Sequence, residues 1–384
     1  MSEWSYRTLD QMGIVSRGKS KHRPRNDVRL FGGKYPFIQT GDIGAAGLYV
    51  TEYSQTYNEE GLAQSKLWER DTLCITIAAN IADTALLAFP ACFPDSIMGF
   101  IPFKDIANVK YVKYCFDILQ KDCQQISQGT AQDNLSWKKL STIKFPCPPI
   151  EVQNKIATIL SRYDSLIENY QKQIKLLEEA AQRLYKEWFV DLRFPGHEIT
   201  KIVDGVPEGW EKMPVDSIYS IKYGKNLSTK LITPTGKYPV YGANGVIGYY
   251  DVANCNEQVV LITSRGNGSG DVLMTYHKEA FVTNNSFIVL PFEDYDYCQL
   301  SFTYQFLRNA NFRAVRTGAA QPQLTNQSIH TVDVVLPTKE LITEYCQKTS
   351  QANIMIVNMR EQIRLLTEAR DRLLPKLMSG EIAV

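Results

Sequence analysis

The sequence has few of the residues and patterns that mark metalloproteins. Its eight cysteines form no CxxC pair. None of them lies at ligand spacing from the four scattered histidines, which are His22, His197, His277 and His330. Structural zinc sites are typically built from such paired spacings. We therefore expect no metal site, and we expect reduced thiols that are mostly buried in the core.

Targeting and membrane signals are missing as well. The opening residues, MSEWSYRTLD, lack the basic-then-apolar pattern of a secretory signal. No apolar run approaches the ~20 residues that a membrane helix needs. The net charge is only +1, and 44% hydrophobic with 22% charged residues is ordinary for a globular protein. We expect a cytoplasmic protein of two or three domains with no membrane association.

Two glycine-rich motifs resemble nucleotide-binding loops, but neither has the flanking structure that such loops need. GIVSRGKS, from Gly13 to Ser20, fits the P-loop pattern, yet a polar segment precedes it and Pro24 follows it closely. A P-loop lies between a buried strand and a helix whose amides cradle phosphate. RGNGSGD, from Arg265 to Asp271, stands between two strand-like stretches, so we predict a hairpin turn.

Other enzyme signatures are also missing. The chain has no Asn- or Asp-Pro-Pro-aromatic motif of amino-methyltransferases and no Asp/Glu-x-Lys triplet of metal-dependent nucleases. We expect neither catalytic residues nor a cofactor in this chain. A remnant enzyme that uses the GIVSRGKS loop is the enzymatic alternative.

What the sequence does contain is a copy of itself. QIKLLEEAAQRL from Gln173 returns as QIRLLTEARDRL from Gln362, an offset of 362 − 173 = 189 in the numbering. Nearer the start the offset is 224 − 18 = 206, which pairs Gly18-Lys19 with Gly224-Lys225. The second copy is therefore shorter, by 206 − 189 = 17 positions, and we expect the loss to fall in loops. Two copies indicate a duplicated domain pair, because solenoids need more repeats.

The repeat divides the chain into five segments. Residues 1–150 form a first globular domain, 151–190 a long helix without Gly or Pro, and 191–209 a turn-rich linker. Residues 210–338 form the second globular domain, and 339–384 a second long helix that should stop near Pro375 and Gly380. Strand-like runs such as TLCITIAA, FIPF, QVVLIT and SFIVLP lie in the globular domains. The fold class is α+β.

Apolar residues recur in the two helices with the heptad period of a coiled coil, interrupted at Thr349 and Arg370. Because one globular domain lies between the helices in the chain, paired helices should be antiparallel. Two like modules would then be related by a pseudo-two-fold axis, and the first helix would span roughly 58 Å. The alternative is two separate helices, each packed on its own domain. The predicted seam comprises Ile156, Leu160, Tyr163, Ile167, Tyr170, Ile174, Leu177, Leu184, Trp188, Tyr345, Ile356, Met359, Ile363, Leu366, Leu373 and Leu377.

Both globular domains carry a basic loop at the same place in the repeat. In the first domain, the segment from Arg17 to Arg29 contains several Lys and Arg residues and one acidic residue, Asp27. In the second, the matching region contains Lys222, Lys225 and Lys230. A basic loop is often only a solvated surface, but its recurrence favours nucleic acid as a ligand.

These features together resemble the specificity subunit of type I restriction-modification systems. Each domain opens on a Trp with Gly-Lys some fourteen positions later, and closes with a glycine loop, Gln, Leu, a Pro-ended strand and a long helix. RLYKEWFVDLRFPGHE and RDRLLPKLMSGEI complete the pattern, which spans essentially the whole chain. The resemblance implies two α/β target recognition domains separated by an antiparallel two-helix coiled coil.

The resemblance also implies the partners. Each target recognition domain would read one half of a split double-stranded DNA sequence. The helices would dock two methyltransferase subunits, which hold S-adenosylmethionine and flip one adenine in each half-site. Restriction-translocase subunits would join through the methyltransferases, and this chain would be non-catalytic. A two-domain adaptor that binds proteins and not DNA is the alternative from another class.

Candidate DNA contacts follow from the chemistry of each side chain. Lysines and arginines of the basic loops would engage phosphates, while Arg, Asn and Gln in loops would read base edges. Each candidate reader could equally be a turn residue that satisfies the local backbone. The candidates are Lys19, Lys21, Arg23, Arg25, Gln39, Thr40, Asn80 and Gln132 in the first domain, and Lys222, Lys225, Lys230, Asn244, Arg265, Asn267 and Gln321 in the second.

Overall fold

The computed structural model describes residues 4–78, 80–127, 135–318 and 321–384. The chain forms two compact units: unit 1 comprises residues 1–170 with 362–384, and unit 2 comprises residues 171–361. Each unit therefore contains one globular part together with segments of two long helices. The predicted candidate Gln132 lies outside the described residues.

The globular part of unit 1, within the described ranges, contains three sheets and several short or medium helices. Its sheets have the strand orders β2-β10-β7-β8-β4, β5-β3-β9-β6 and β1-β11. The strands are β1 (Ser5–Arg7), β2 (Gly13–Arg17), β3 (Phe31–Phe37), β4 (Tyr49–Val50), β5 (Gln55–Tyr57), β6 (Leu67–Trp68), β7 (Leu73–Thr76), β8 (Thr84–Leu87), β9 (Ala91–Cys92), β10 (Ile97–Pro102) and β11 (Phe145–Cys147). The helices are α1 (Leu9–Met12), α2 (Thr40–Ala45), α3 (Glu59–Ala63), α4 (Val109–Ser127) and α5 (Trp137–Leu140).

The first long helix, α6 (Ile150–Tyr185), continues into a π-helical turn, Lys186–Val190. The strands that follow are β12 (Ile202–Val203), β13 (Val206–Pro207), β14 (Glu211–Pro214), β15 (Tyr219–Tyr223), β16 (Tyr238–Gly242), β17 (Gly245–Tyr250), β18 (Val260–Thr263), β19 (Val272–Met274), β20 (Phe281–Val282), β21 (Ser286–Pro291) and β22 (Asp333–Leu336). The remaining helices are α7 (Leu300–Asn309), α8 (Asn326–His330) and the second long helix, α9 (Lys339–Met378). Unit 2 has sheets β15-β21-β18-β19, β17-β16-β20, β14-β22 and β12-β13.

The central sheet of unit 1 is covered on two faces, which explains why its middle strands are continuous apolar runs. Every residue of β7 and β8 is buried. Leu73 and Ile75 of β7 pack in one cluster with Tyr111 of α4. The intervening Cys74 packs in another cluster with Ile43 of α2. Successive strand residues thus enter opposite halves of the core.

The repeat is visible in the topology of the two units. Strand β15 stands at an offset of 206 from β2, and β21 stands at an offset of 189 from β10. The order β2-β10-β7-β8 in unit 1 matches β15-β21-β18-β19 in unit 2. In the second sheet, β3 pairs with β9 in parallel, as β16 does with β20. The duplication predicted from the sequence is confirmed at the level of strand order.

The length difference between the copies is not confined to loops, and this expectation was wrong. Positions 38–72 lie between β3 and β7, whereas the shorter stretch 243–259 lies between β16 and β18. The longer segment contains α2, α3, β4, β5 and β6, and the shorter one contains β17. Because β4 and β6 are edge strands, a copy without them still keeps the central pairings.

The second long helix passes through Pro375 and does not stop there. It ends at Met378, and Gly380 follows with a positive φ of 75°. A proline removes one backbone donor, so within the last turn it costs a single hydrogen bond, which would run to the Asp371 carbonyl. The predicted stop near Gly380 is confirmed, because glycine adopts this left-handed conformation without strain.

In unit 2 the two long helices pack against each other and run antiparallel. The Glu178 carboxylate of α6 lies 2.8 Å from the Arg360 guanidinium of α9. Further along α6, the Ala181 carbonyl accepts a bond of 3.1 Å from the Tyr345 hydroxyl. The contact that lies later in α6 therefore involves an earlier residue of α9, as expected for helices that run in opposite directions. Helices packed separately on their own domains are excluded for this unit.

Unit 1 shows the same pairing with different residues. Asp164 of α6 contacts Arg370 of α9 at 2.7 Å. Nearer the start of α6, Ile156 and Leu160 share one hydrophobic cluster with Leu377 near the end of α9. Arg370, which interrupts the heptad pattern, is therefore an ion-pair partner within the helix pair.

The predicted seam residues are all buried or half-buried. Those with less than a tenth of their surface exposed are Ile156, Leu160, Ile167, Ile174, Trp188, Tyr345, Ile356, Met359 and Leu377. The half-buried ones are Tyr163, Tyr170, Leu177, Leu184, Ile363, Leu366 and Leu373. By contrast, Leu166 and Leu176 on α6 are exposed, as are Ile354, Met355 and Leu365 on α9. Thr349 is buried, and its hydroxyl contacts Ser301 of α7 at 3.2 Å.

Candidate nucleic-acid interface

A glycine-lysine pair anchors the basic loop of each unit to the central sheet. In unit 1 the amide of Gly18 donates to the Ile97 carbonyl (2.8 Å), and the amide of Lys19 donates to the Phe93 carbonyl (3.1 Å). A Cβ on Gly18 would lie 2.2 Å from the Pro94 carbonyl oxygen, so this backbone approach requires glycine.

Unit 2 repeats this anchor. The amide of Gly224 donates to the Ser286 carbonyl (3.0 Å), and that of Lys225 donates to the Val282 carbonyl (3.0 Å). A Cβ on Gly224 would lie 2.4 Å from the carbonyl oxygens of Val282 and Thr283. The repeated Gly-Lys pair thus holds the start of a basic loop against the sheet in both units.

The anchor also explains the P-loop-like sequence GIVSRGKS. Its first part, Gly13–Arg17, is strand β2, which pairs antiparallel with β10. The glycine and lysine that follow are the anchor itself. Because a P-loop needs a loop before its glycine-lysine pair and a helix after it, this segment is not built as one.

The basic loop of unit 1 is held by side chains from other parts of the unit. The Gln64 amide oxygen accepts bonds from the backbone amides of Lys21 (2.6 Å) and His22 (3.0 Å). The Ser65 hydroxyl donates to the Lys19 carbonyl at 2.7 Å. These bonds fix the backbone from which the cationic side chains project.

The arginines of this loop are oriented by carboxylates. Arg25 lies 2.7 Å and Arg23 lies 3.7 Å from the carboxylate of Asp95, and each side chain remains about half exposed. Asp27 receives bonds from Arg29 and contacts the His22 ring at 2.8 Å. The Arg29 side chain, then its backbone amide, then His22 hold the pKa of Asp27 well below its usual range. Lys21 is exposed and Lys19 is half-buried.

Three predicted candidates of unit 1 line one groove of about 450 Å³. They are Arg25, Gln39 and Thr40, which come from the basic loop and from the start of α2. The other lining residues are Ser20, Asn26, Val28, Phe31, Phe37, Gln55, Pro94 and Ser96. Neither Asn26 nor Gln55 was among the predicted candidates. Asn26 lies within the basic loop, where the cationic residues were the signal, and Gln55 lies in β5, far from that loop in sequence.

Asn80 is not among the residues that line this groove. Its backbone has a positive φ of 51°, and its carbonyl accepts a hydrogen bond from the Thr76 hydroxyl. The side chain is exposed. These contacts are those of a turn residue that satisfies its local backbone, the alternative to a DNA contact at this position.

In unit 2 the glycine-rich segment is a hairpin turn, as predicted. β18 pairs antiparallel with β19. The turn between them is closed by a hydrogen bond of 2.8 Å, which the amide of Gly270 donates to the Thr263 carbonyl. The amide of Gly266 donates to the Pro322 carbonyl at 2.9 Å, and Arg265 forms a bridge with Gln323. The Arg265 side chain is exposed.

Candidate readers of unit 2 come from three loops that contact one another. Asn244 lies in the β16–β17 turn, where the Thr263 hydroxyl donates to the Ala243 carbonyl (2.6 Å). The Asn267 carbonyl lies 3.4 Å from the Arg316 guanidinium. Gln321 is exposed beside the Arg265–Gln323 bridge. The cationic candidates of unit 2 lie at the end of β15 and in the segment after it, and all three side chains are exposed: Lys222, Lys225 and Lys230.

Arg313 and Arg316 add positive charge to this surface. Arg313 pairs with Asp271 at the base of the hairpin, and a Cβ on Gly270 would lie 3.2 Å from the Arg313 side chain. The sequence has a third arginine close by, at position 308. We infer that the hairpin and the arginine segment form one basic, amide-rich surface.

In each unit an arginine of α9, an acid of α6 and a tyrosine of the globular part form one contact, which we call a clamp. In unit 1 the Tyr114 hydroxyl donates to Asp164, which also pairs with Arg370. In unit 2 the Tyr276 hydroxyl donates to Glu178 (3.2 Å), and the Arg360 guanidinium lies 3.5 Å from the centre of the Tyr276 ring. Burial raises the pKa of both phenols, so they donate as neutral groups.

The described residues contain no group of three or more His, Cys, Asp or Glu side chains able to hold a metal ion. All eight cysteines are buried, in keeping with the predicted place of most of them in the core. Burial raises the pKa of Cys74 and Cys115 well above the usual range of a thiol. Of the helices described, none has the length and apolar character that crossing a membrane requires.

The chain is thus a duplicated protein, with two α/β units that share a strand order and an anchored basic loop. Residues 1–179 and 207–362 match the family described as type I restriction modification DNA specificity domain. The chain belongs to this family, and the resemblance stated from the sequence is confirmed.

Known relatives agree with this assignment. The type I restriction enzyme MjaIX specificity subunit of Methanocaldococcus jannaschii is 24% identical over 415 residues, covering 100% of this chain and 94% of the relative. The EcoR124I/EcoR124II specificity subunit of Escherichia coli is 26% identical over 202 residues, covering 50% of this chain and 48% of that protein. The crystal structure of the S subunit of a type I restriction-modification system from M. genitalium has the same fold, with a TM-score of 0.60, 18% identity and coverage of 98% and 96%.

Proposed function

We propose that this chain is the non-catalytic DNA-specificity subunit of a type I restriction-modification complex. The observation that carries the proposal is the repetition of one basic-loop anchor in two units of the same topology. Two similar surfaces with different loops suit a double-stranded target whose halves are unlike. In this proposal unit 1 reads one half-site and unit 2 reads the other.

The division of labour among side chains follows from their chemistry. Four exposed lysines on or beside anchored backbone would contact phosphates, which fixes register without reading sequence: Lys21, Lys222, Lys225 and Lys230. Base edges would be read by the amides of the unit 1 groove and by the hairpin surface of unit 2. Because the two units share one topology but carry different loops, each would read its own half-site with its own set of side chains.

The partners in this proposal follow from the family. Two methyltransferase subunits would dock on the paired helices and supply S-adenosylmethionine, and restriction-translocase subunits would join through them. The apolar residues that α6 and α9 leave exposed, such as Leu176 and Ile354, support a role for the helices in binding proteins.

The proposal is tested by reconstituting the chain with its methyltransferase subunits and mapping methylated adenines in random-sequence DNA. A motif of two specific halves separated by a fixed gap is expected. Affinity for duplex should fall steeply as salt rises, because phosphate contacts release counterions. An assembled complex that shifts no duplex would favour the protein-binding adaptor instead.

Replacing Arg265 with Ala should weaken specific binding by ~1–3 kcal/mol, provided that its guanidinium makes a bidentate base contact. Arg265 is exposed, and the bridge of its backbone with Gln323 holds it in place. Gel-shift affinity and light scattering would be measured, and assembly with the methyltransferase should be unaffected.

The matched control for this variant is Lys212→Ala. Lys212 is an exposed cation of the same unit that pairs with Asp333 between β14 and β22. It should leave affinity nearly unchanged. If Arg265→Ala keeps full affinity and the same methylated motif, Arg265 reads no base and the turn has a structural role.

A further inference from the structure

Within the unit 1 groove, two glutamines from neighbouring strands form one hydrogen-bonded pair. Gln39 follows β3 and Gln55 begins β5, whose register pairs Phe37 with Gln55. The Gln39 amide nitrogen donates to the Gln55 amide oxygen at 2.8 Å. Both side chains line the groove, with Gln55 exposed and Gln39 half-buried.

The pair stands on a rigid support. Phe37 lies two positions before Gln39 and Tyr57 two positions after Gln55, and their rings are stacked with centroids 4.1 Å apart. Tyr57 is fully buried, and Phe31 packs against both rings. Because the strands are fixed by this aromatic cluster and the amides by their mutual bond, little side-chain freedom remains to be lost on binding.

The remaining hydrogen-bonding groups of the pair have a definite pattern. Each amide has one oxygen acceptor and two N–H donors, and the mutual bond uses a Gln39 donor and the Gln55 oxygen. At the start of α2 the Gln39 backbone amide donates to the Asp42 carboxylate at 2.7 Å, while the Gln39 side-chain oxygen keeps a lone pair for a ligand. N–H groups remain on both glutamines. The pair therefore offers a donor, an acceptor and a donor close together.

That pattern is complementary to the major-groove edge of an A·T base pair. Adenine N7 accepts, adenine N6 donates and thymine O4 accepts. A G·C pair presents two acceptors and then a donor, so its second acceptor would face the glutamine carbonyl. Val28 lines the same groove with 84% of its surface exposed, which suits contact with the thymine methyl group.

Arg25 also lines this groove, and an arginine that reads a base typically pairs with guanine and not with an A·T pair. Its guanidinium is tethered to Asp95 at 2.7 Å, a carboxylate that it shares with Arg23. This arrangement suits a phosphate contact at the groove wall. The amides, by contrast, are bonded to each other and keep hydrogen-bonding capacity toward the groove.

We propose that the Gln39–Gln55 pair, with Val28, specifies an A·T base pair in the half-site read by unit 1. This inference rests on the proposed function. We assign this role to unit 1 alone. In unit 2, strand β17 carries two exposed apolar residues, Val246 and Ile247, beside the β16–β17 turn.

The test uses the full chain assembled with its methyltransferase subunits and a DNA library with each half-site position randomised. Gln55→Leu should reduce the preference for A·T at one position of one half-site about ten-fold or more. The other half-site should be unchanged. Gln55→Glu keeps the shape but replaces the donors by acceptors, and it should weaken binding to the wild-type motif while the melting temperature stays the same.

Gln11→Leu is the matched control, since Gln11 is an exposed glutamine of unit 1 that caps α1 through the Thr8 amide. It should leave the motif unchanged. The inference is overturned if Gln55→Leu leaves the motif intact, relaxes a G·C position, or alters both halves. If the wild-type complex methylates no bipartite motif, the proposed function itself fails, which is a distinguishable result.

Discussion

Exchanging residues 210–337 for the matching domain of another specificity subunit should change one half of the methylated DNA motif and leave the other half intact. The reason is that unit 2 has a core of its own, to which the exchanged residues contribute together with residues of α6 and α9. Val260 and Ile262 of β18 pack in one cluster with Phe302 and Phe306 of α7. The loops that carry its candidate readers, including Arg265, contact one another within that unit.

The measurement is methylation mapping of the hybrid complex beside the two parents. The reciprocal exchange of residues 1–150 is the control, and it should change the opposite half. The incoming domain must supply a hydroxyl where Tyr276 donates to Glu178, or assembly on the helices will loosen. A hybrid whose two halves both change would contradict the assignment of one half-site to each unit.

Introducing aspartate at Ile167 and Ile356 together should abolish folding of the helix pair. The two side chains are 9% and 3% exposed. An unpaired carboxylate at either site should cost roughly 4 kcal/mol or more. Because domains are typically stable by only about 5–15 kcal/mol, both changes together remove most of that margin. Thermal unfolding followed by circular dichroism would measure the loss.

The matched control is the adjacent pair, Leu166→Asp with Met355→Asp. These residues lie on the same helices but are 46% and 41% exposed. Their replacement should leave the melting temperature of the isolated chain nearly unchanged. Equal destabilisation by both pairs would mean that the heptad pattern does not identify the buried face.

The features that were predictable from the sequence are those encoded locally or by repetition. The heptad period of α6 and α9 and the apolar strands β7, β10, β18 and β21 are visible in short windows. The repeat offset of 189 identifies equivalent strands without any structural information. The glycine-rich sequence RGNGSGD predicted a hairpin turn, because a strand-like stretch lies on each side of it.

What the sequence could not reveal are contacts between distant residues. Gln55 joins Gln39 across two strands, and Asp95 orients Arg25 from a turn that is remote in the chain. The sequence does not predict the elements inserted between β3 and β7, because very short edge strands such as β4 have no periodicity to detect.

The two clamps have a consequence for how the duplicated halves can be combined. Although α6 and α9 are copies of one repeat, α6 supplies both carboxylates and α9 supplies both guanidinium groups. At the repeat offset of 189, Arg370 corresponds to Ala181, and Arg360 corresponds to Gln171. A second α6 in place of α9 would therefore leave Asp164 and Glu178 without their cations. The two helices are therefore not interchangeable. Two identical half-length chains could form the same ion pairs only if the helix of each carried both an acid and an arginine.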